Sequence, residues 1–307
     1  MLALAGVAAP AAEQQPAPAA PGVTVGGLAV GGFTSEDIRA LLRRSLGAPL
    51  EFTLEGETWN ARPDRLGASA AVDDAVARAL HARTGTAVAV AASPRRKPLE
   101  SYLRYLDRKL TVAPRDASLV GLDARLRPVI AAEAPGRRLD VRTTRAQIVA
   151  QLARAQREPV EPRLVPTRPK VTRATFGPVI VIRRGSNTLS LYAGSRLVRT
   201  FGVATGRSRY PTPTGTFSIA DMQYNPWWYP PDSEWAEGLE PVPPGPGNPL
   251  GTRWMGLSAW GVGIHGTPDA ASIGYSASHG CIRMRIPDAE WLFQHVHVGT
   301  PVVIVSA

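Results

Sequence analysis

Short apolar runs and alternating positions dominate the second half of the chain, and turn residues such as those at Gly185–Asn187 separate them. Such patterns are typical of strands. Strands are predicted at Val179–Ile182, Leu189–Tyr192, Leu197–Val203 and Pro301–Val305. One helix is predicted over Pro287–Phe293, because proline suits a first helical turn and nearby acids complement the helix dipole. These elements predict a small mainly-β sandwich or barrel.

The first half of the chain spaces its apolar residues as helices do. Thr34 or Ser35 is placed to cap a helix. The apolar residues on one face of that helix are Ile38, Leu41, Leu42 and Leu46. A strand is predicted at Leu50–Leu54, a second helix begins near Asp73, and Thr144–Gln147 fits a capping box before a third. The mixture predicts an α+β region that precedes the mainly-β domain.

Composition and pattern divide the chain into four segments. They are an N-terminal segment at 1–21, a first helix-and-strand unit at 22–96, a second at 97–173 and the mainly-β domain at 174–307. The first segment opens with the apolar run Leu2–Ala9, which is too short to span a bilayer, and we expect it to be disordered. It is interpreted as a signal-peptide remnant with small residues for cleavage at Ala9–Ala11. A membrane anchor truncated at its start is the alternative.

The chain is basic, with 35 lysines and arginines against 25 acidic residues and a formal charge of +10. This charge favours anionic surroundings such as cell-wall polymers or lipid headgroups and, on charge alone, nucleic acid. The arginines are scattered through both halves, and only Lys97, Lys109 and Lys170 are lysines. Most of the charge is therefore interpreted as solvated surface, and no nucleic-acid partner is expected.

The only cysteine of the chain, Cys281, follows directly after His279 and Gly280. A single cysteine cannot form an internal disulfide. Because a thiol has a pKa of about 8.5, a nucleophilic cysteine needs an imidazole to take its proton, and His265 or His279 can do so. The carbonyl of Gly266 can orient such a base through the other ring nitrogen. The N–H groups of Gly280 and Cys281 are predicted to form an oxyanion hole.

Two other readings of these residues stay open. His265, His279 and Cys281 are also residue types that bind zinc, although metal sites usually show tighter paired spacings and a fourth ligand. The cysteine can alternatively be a small buried hydrophobic residue. Two His-Gly pairs around a unique cysteine favour the nucleophile, so neither a metal nor a cofactor is expected.

The pairing of Ile264–Thr267 with Ser278–Met284 resembles the signature of the L,D-transpeptidase catalytic domain, also called the YkuD-like domain. Three further segments resemble that family in the expected order. They are Val203–Gly206, Thr212–Phe217 and Asn248–Gly251. The resemblance covers about Thr175–Ala307.

The resemblance implies a role for each residue of the signature. Cys281 is the nucleophile, His265 the base and the Gly266 carbonyl its orienter. His279 resembles the second histidine of the family, which lies close to the thiol and shapes the acyl site. The predicted oxyanion and substrate-binding residues are Gly280, Ser278, Arg283 and Thr267.

Some members of the family carry asparagine where this chain has Arg283. A guanidinium there can hold a substrate carboxylate in bidentate fashion. It can equally pair with Asp288 or satisfy loop carbonyls, and both alternatives stay open.

A long aromatic segment rich in proline and glycine runs from Tyr224 to Gly247. Long loops in compact domains are usually functional or disordered. Trp227, Trp228 and Tyr229 are predicted to form a lid that grips a peptide or sugar. Alternatively, one of the two tryptophans plugs the edge of the sandwich.

The upstream units resemble, more weakly, the peptidoglycan-binding repeat that often precedes this catalytic domain, at Gly22–Leu28 and Gly136–Asp140. The alternative is a spacer that binds nothing. The combined resemblance implies a bacterial, extracytoplasmic enzyme of cell-wall organisation and cell shape. It would crosslink third residues of peptidoglycan stem peptides through a thioester on Cys281.

The resemblance also implies neighbouring activities. Water as the acceptor would make the chain an L,D-carboxypeptidase, and some members of the family attach proteins to the wall. Carbapenems are expected to acylate it. A non-catalytic wall-binding protein is the competing hypothesis, which the intact His265, His279 and Cys281 disfavour.

Overall fold

The computed structural model describes residues 17–307. These residues form two compact units. The first comprises the described residues up to Ala113 together with Pro135–Thr167, and the second comprises Pro114–Ala134 and Arg168–Ala307. The predicted cleavage residues at Ala9–Ala11 lie outside the described residues. In the described part of the chain, no helix has both the length and the apolar character needed to cross a membrane.

Helices and short strands share the first unit, whereas strands dominate the second. The helices of the first unit are α1 Ser35–Gly47, α2 Val72–Leu80, α3 Arg96–Leu110 and α4 Val141–Leu152. The second unit contains helix α5 Ile286–Phe293. The strands of the first unit are β1 Thr24–Val25, β2 Leu28–Ala29, β3 Leu50–Leu54, β4 Glu57–Ala61, β5 Ala68–Ala70, β6 Ala87–Val88, β7 Ala92–Pro94, β10 Gly136–Leu139 and β11 Leu164–Thr167. The strands of the second unit are β8 Ser118–Leu122, β9 Pro128–Ala131, β12 Pro178–Arg183, β13 Thr188–Ala193, β14 Arg196–Gly202, β15 Thr205–Gly206, β16 Gly215–Tyr224, β17 Arg253–Leu257, β18 Gly263–Thr267, β19 Ser276–Ser278, β20 Ile282–Arg285 and β21 Pro301–Val305.

Helix α1 begins as its sequence predicts. Thr34 is its N-cap, and the Thr34 and Asp37 side chains bond each other's backbone N–H groups in a capping box. The apolar stripe buries Ile38, Leu42 and Leu46. The α1 prediction is therefore confirmed.

Helix α4 begins earlier than predicted, so the capping box at Thr144–Gln147 is wrong. Asp140 is the N-cap, because its side chain accepts from the Thr143 N–H at 3.1 Å. Thr144 is fully buried within the helix, where its hydroxyl accepts from the Arg163 N–H at 3.1 Å. A threonine beside an apolar run can face either the helix start or the core, and here it faces the core.

Two apolar clusters form the core of the first unit. One joins α1 and α2 to Val23, Val25 and Val30. The other joins β3, α3 and α4 and contains both Phe52 and Leu103. The second cluster thus draws on both sides of residue 96, and the division between 22–96 and 97–173 stays a prediction.

The second unit is built on an eight-stranded sheet in the order β14-β13-β12-β21-β16-β17-β18-β20. Its two edges meet, because the chain that continues from β14 bonds to β20. Ala204 and Arg283 exchange two backbone hydrogen bonds, each 2.9 Å long. The sheet is therefore nearly closed, which confirms the predicted mainly-β sandwich or barrel.

Strand β12 is buried on both faces. Ile180 and Ile182 point into the main apolar core, whereas Val179 and Val181 pack with Tyr192 on the opposite face. Leu119 and Leu122, from the hairpin β8–β9, lie against that face. Burial on both faces explains why this strand reads as a continuous apolar run.

Candidate active site

The predicted base lies on β18, and the predicted nucleophile directly precedes the neighbouring parallel strand β20. Strand β18 pairs with β20 so that Ile264 is opposite Ile282 and His265 is opposite Arg283. Both isoleucines face the apolar core. Successive side chains of a strand alternate between faces, so His265 and Arg283 share the other face. Cys281 lies two residues before Arg283, directly before the first residue of β20.

The imidazole of His265 is buried and oriented by the backbone. Only 4% of the residue is exposed, and Nδ1 donates a hydrogen bond to the Gly266 carbonyl at 2.6 Å. Burial lowers the pKa of His265 to about 4, and the charge of Arg283 acts in the same direction. The ring is therefore neutral at pH 7, with a lone pair on Nε2 that can accept a proton.

The thiol of Cys281 is also neutral at rest. Its sulfur donates to the carbonyl of Gly261 at 3.6 Å. Burial raises the pKa of the Cys281 thiol, against a smaller opposing effect of the Arg283 charge. The site thus rests as a thiol and an imidazole rather than as a thiolate and an imidazolium.

The loop before the cysteine is held by its own serine. Ser278 is 1% exposed, and its hydroxyl accepts from the Gly280 N–H at 3.1 Å and donates to the Cys281 carbonyl at 2.6 Å. Gly280 has φ +120°, a conformation that favours glycine. The Gly280 N–H is therefore occupied by Ser278 in this structure, and the predicted oxyanion role of the Cys281 N–H stays a prediction.

Thr267 is likewise buried, with 5% of its surface exposed. Its hydroxyl accepts from the Asp269 N–H at 3.2 Å. Ser278 and Thr267, both predicted to bind substrate, therefore shape the loops around the site in this structure.

Thr212 fixes the position of the cysteine loop and has no assigned role in the sequence analysis. It is fully buried. Its hydroxyl donates to the Gly280 carbonyl at 2.8 Å and accepts from the Gly206 N–H at 2.8 Å. Thr212 and Gly206 both lie in segments that carry the family resemblance, but sequence spacing alone does not show that they meet.

His279 lies in a different environment from His265. Trp235 stacks on its ring with centroids 4.0 Å apart, and Tyr210 lies 5.2 Å away at an angle. A guanidinium nitrogen of Arg207 contacts Nε2. Burial lowers the pKa of His279, and the charges of Arg207 and Arg283 lower it further. With its Nε2 lone pair engaged by Arg207, His279 is less suited than His265 to accept the proton of the thiol.

The zinc hypothesis required His265, His279 and Cys281 to converge on one ion. Among residues 17–307, no three side chains of histidine, cysteine, aspartate or glutamate are grouped as a metal site.

Two family models match the chain in the predicted order. The model "Putative peptidoglycan binding domain" matches residues 59–161. The YkuD model, "L,D-transpeptidase catalytic domain", follows it and matches residues 177–304. The Bacillus subtilis protein "Putative L,D-transpeptidase YqjB" is 35% identical over 134 residues, which are 42% of this chain and 72% of that protein. The chain belongs to the L,D-transpeptidase family.

Other relatives match the same region. "Putative L,D-transpeptidase YkuD" of Bacillus subtilis is 37% identical over 125 residues, covering 41% of this chain and 64% of that protein. A crystal structure of an Enterococcus faecium L,D-transpeptidase covers 87% of this chain and 98% of its own, at 15% identity and a TM-score of 0.38.

The loop from Tyr224 to Gly247 reaches the candidate site through Trp235, which no sequence pattern distinguishes. Trp235 stacks on His279, whereas Trp227 and Tyr229 stack on each other and are 49% and 66% exposed. Trp228 exchanges two backbone hydrogen bonds with Val242, each 2.9 Å long. The predicted lid role of Trp227, Trp228 and Tyr229 stays a prediction.

The Asn248–Gly251 segment contacts both this loop and the backbone next to His265. Asn248 is fully buried and donates from Nδ2 to the Pro226 carbonyl at 2.8 Å. Gly251 has φ +61°, and a Cβ there would lie 3.0 Å from the carbonyl carbon of Gly266. Only glycine allows this close approach behind the carbonyl that orients His265.

A second aromatic ring borders the base. The rings of Trp254 and His265 have centroids 5.9 Å apart, and Trp254 is opposite His265 in the β17–β18 pair. A Cβ on Gly263 would lie 2.3 Å from the Trp254 ring. The glycine therefore makes room for the tryptophan to lie across the strand next to the base.

Arg283 does not pair with Asp288, so that predicted alternative is wrong. Asp288 instead meets Arg199 at 3.2 Å. A guanidinium nitrogen of Arg283 lies 3.6 Å from a carboxylate oxygen of Asp269.

Proposed function

We propose that this chain is a cysteine-dependent L,D-transpeptidase that crosslinks third residues of peptidoglycan stem peptides. Membership of the family supports an enzyme that acts on peptidoglycan, and hence an extracytoplasmic location. One observation carries the finer claim. The 2.6 Å hydrogen bond from Nδ1 of His265 to the Gly266 carbonyl leaves the lone pair on Nε2, and His265 lies on the strand that pairs with β20, which begins directly after Cys281.

The first half-reaction transfers the donor stem to the enzyme. The Cys281 sulfur attacks the carbonyl that joins the third stem residue to its terminal D-alanine, and Nε2 of His265 takes the thiol proton. The Cys281 N–H donates to the oxyanion that forms. His265 then gives the proton to the departing amine, so that D-alanine leaves and a thioester remains.

The second half-reaction transfers the stem to an acceptor. A side-chain amine on the third residue of another stem attacks the thioester, and His265 takes a proton from it. The tetrahedral intermediate collapses, the new amide forms, and the proton returns to the Cys281 sulfur. This step regenerates the thiol and the neutral imidazole. The first unit would hold the enzyme on its polymeric substrate.

The resting protonation states favour a base that acts during the attack. A low pKa for His265 and a raised pKa for Cys281 keep the proton on sulfur until a carbonyl is in place. Transfer of the proton in the transition state then supplies the nucleophile when it is needed.

The test uses purified protein, a tetrapeptide stem donor and an acceptor stem with a free side-chain amine. Mass spectrometry of the products should show release of D-alanine and a crosslinked dimer. Cys281→Ala and His265→Gln should abolish both, with unchanged melting curves. Release of D-alanine without a dimer would instead indicate an L,D-carboxypeptidase, and neither product from a folded protein would contradict the proposal.

A further inference from the structure

Arg207 is an exposed arginine whose backbone is tied to the cysteine loop. Its N–H donates to the Ser278 carbonyl at 3.0 Å, and its guanidinium contacts Nε2 of His279. The guanidinium carbon also lies 5.1 Å from the centre of the Tyr210 ring, a cation–π contact. Backbone, imidazole and phenol together fix where this charge sits relative to Cys281.

Arg207 contacts His279, and Arg209 lies with it over Tyr210, whose ring is 5.2 Å from that of His279. Arg209 and the signature arginine Arg283 already face a carboxylate. Arg209 pairs with Glu234 at 3.0 Å, and Arg283 faces Asp269 at 3.6 Å. Arg207 has no such partner: among residues 17–307, no carboxylate lies within 4.0 Å of it. It is therefore the guanidinium of the site that is ready to receive an anion from outside the chain.

The guanidinium N–H groups of Arg207 that do not contact His279 are suited to bind a carboxylate. Only one terminal nitrogen of Arg207 contacts His279. A guanidinium has five N–H donors in one plane, and two of them can bond both oxygens of a carboxylate at once. The remaining donors lie on an exposed residue beside the catalytic loop.

The proposed donor carries a carboxylate at the matching place. The carboxylate carbon of the terminal D-alanine is three covalent bonds from the scissile carbonyl carbon. Arg207 contacts His279, two residues before Cys281, and its backbone N–H bonds the Ser278 carbonyl, so its charge lies beside the cysteine loop, where an anion so close to the scissile bond would be bound.

We propose that Arg207 forms the subsite for the terminal carboxylate of the donor stem. This inference rests on the proposed function and adds its donor specificity. It implies that the enzyme requires a free carboxylate on the residue that leaves, and that it rejects stems whose terminus is amidated.

Binding tests this subsite without chemistry. Calorimetry on full-length Cys281→Ala compares a tetrapeptide stem with the same stem amidated at its C-terminus. The acid should bind at least about tenfold tighter, consistent with a bidentate charged contact. Adding Arg207→Met should bring the two affinities together by weakening only the acid, whereas Arg207→Lys should retain part of the preference.

Arg209→Met is the matched control, because Arg209 also lies over Tyr210, at 5.5 Å, but is paired with Glu234. It should leave the preference for the acid intact. A preference that survives Arg207→Met, equal weakening of both stems, or loss of the preference in Arg283→Met but not in Arg207→Met would each overturn the subsite.

Acylation separates this inference from the proposed function. The enzyme with Cys281 intact is incubated with the acid donor and weighed by mass spectrometry. Acylation with no Arg207-dependent preference refutes the subsite alone. An Arg207-dependent preference in binding without any acyl-enzyme refutes the proposed chemistry and supports the subsite.

Discussion

Thr212 donates a hydrogen bond from its hydroxyl to the carbonyl of Gly280, the residue directly before the only cysteine, at 2.8 Å. The same hydroxyl accepts from the Gly206 N–H. One buried side chain thus joins the segment of Gly206 to the loop that carries Cys281.

Replacing Thr212 by valine should therefore misplace the cysteine. Thr212→Val keeps the shape of the side chain but leaves a buried carbonyl and a buried N–H unpaired, at a cost of about 2 kcal/mol in the free energy of unfolding. We expect the rate of acylation by a carbapenem to fall roughly tenfold or more. Urea unfolding and stopped-flow fluorescence measure the two effects.

Thr212→Ser provides the control, because it retains the hydroxyl. It should restore most of the acylation rate. Equal acylation rates for the valine variant and the unmodified protein would show that this link does not position Cys281.

Gly251 should tolerate no side chain. Gly251→Ala combines a φ of +61° with a Cβ at 3.0 Å from the Gly266 backbone. The left-handed conformation alone costs about 1–2 kcal/mol for alanine, and the contact pushes on the carbonyl that orients His265. We expect a lower melting temperature and a lower kcat for D-alanine release.

Gly247→Ala is matched to it, since Gly247 lies in the neighbouring loop and a Cβ there would meet nothing within 4 Å. It should be close to neutral. If both variants behave alike, the close approach of Gly251 to the Gly266 backbone has no functional role.

Activity should persist to unusually low pH. In the proposed mechanism His265 acts only as the neutral base, and burial lowers its pKa from 6.5 to about 4. As the pH falls, kcat/KM should stay level through about 6 and drop roughly tenfold per unit only below about 4. An acid limb close to 6.5 would show that His265 is not the base or is not buried in the working enzyme.

The same burial links stability to pH. The unfolded chain takes up a proton on His265 near 6.5, whereas the folded chain does so only near 4. The free energy of unfolding should therefore decrease as the pH falls between these values. His265→Gln should remove that part of the slope in urea titrations at several pH values.

Trp235 should influence the site more than the other loop tryptophans. Trp235→Ala removes the ring stacked on His279, whereas Trp227→Ala removes a half-exposed ring that stacks on Tyr229. We expect the first variant to raise KM for the stem donor several-fold and the second to change it little. The opposite order would favour the predicted lid at Trp227–Tyr229.

The sequence predicts those parts of the fold whose signals are local. The apolar run at Val179–Ile182 and the capped helix at Ser35–Gly47 are visible because alternation, burial and capping act within a few residues. The capping box assigned to Thr144 fails because its hydroxyl serves a distant backbone N–H, at Arg163. Residues 114–134 join the second unit through contacts that no local pattern encodes.

The residues of the candidate site can likewise be predicted from the sequence only where the signal is local. The His-Gly pairs identify His265 and Cys281 because the chemistry needs an imidazole beside a thiol, and both lie in short motifs. Thr212, Trp235 and Arg207 are distant in sequence from the cysteine and reach it only through the closure of the sheet. Their residue types are common, so no spacing rule distinguishes them.

Intact-protein mass spectrometry after incubation with a carbapenem or a tetrapeptide stem tests most directly whether Cys281 is acylated. Peptide mapping then locates the added mass, with Cys281→Ala treated in parallel and no metal added. One covalent adduct on Cys281 is expected in the unmodified protein and none in the variant. A folded protein that gains no mass, or one that gains the same mass without Cys281, would contradict this expectation.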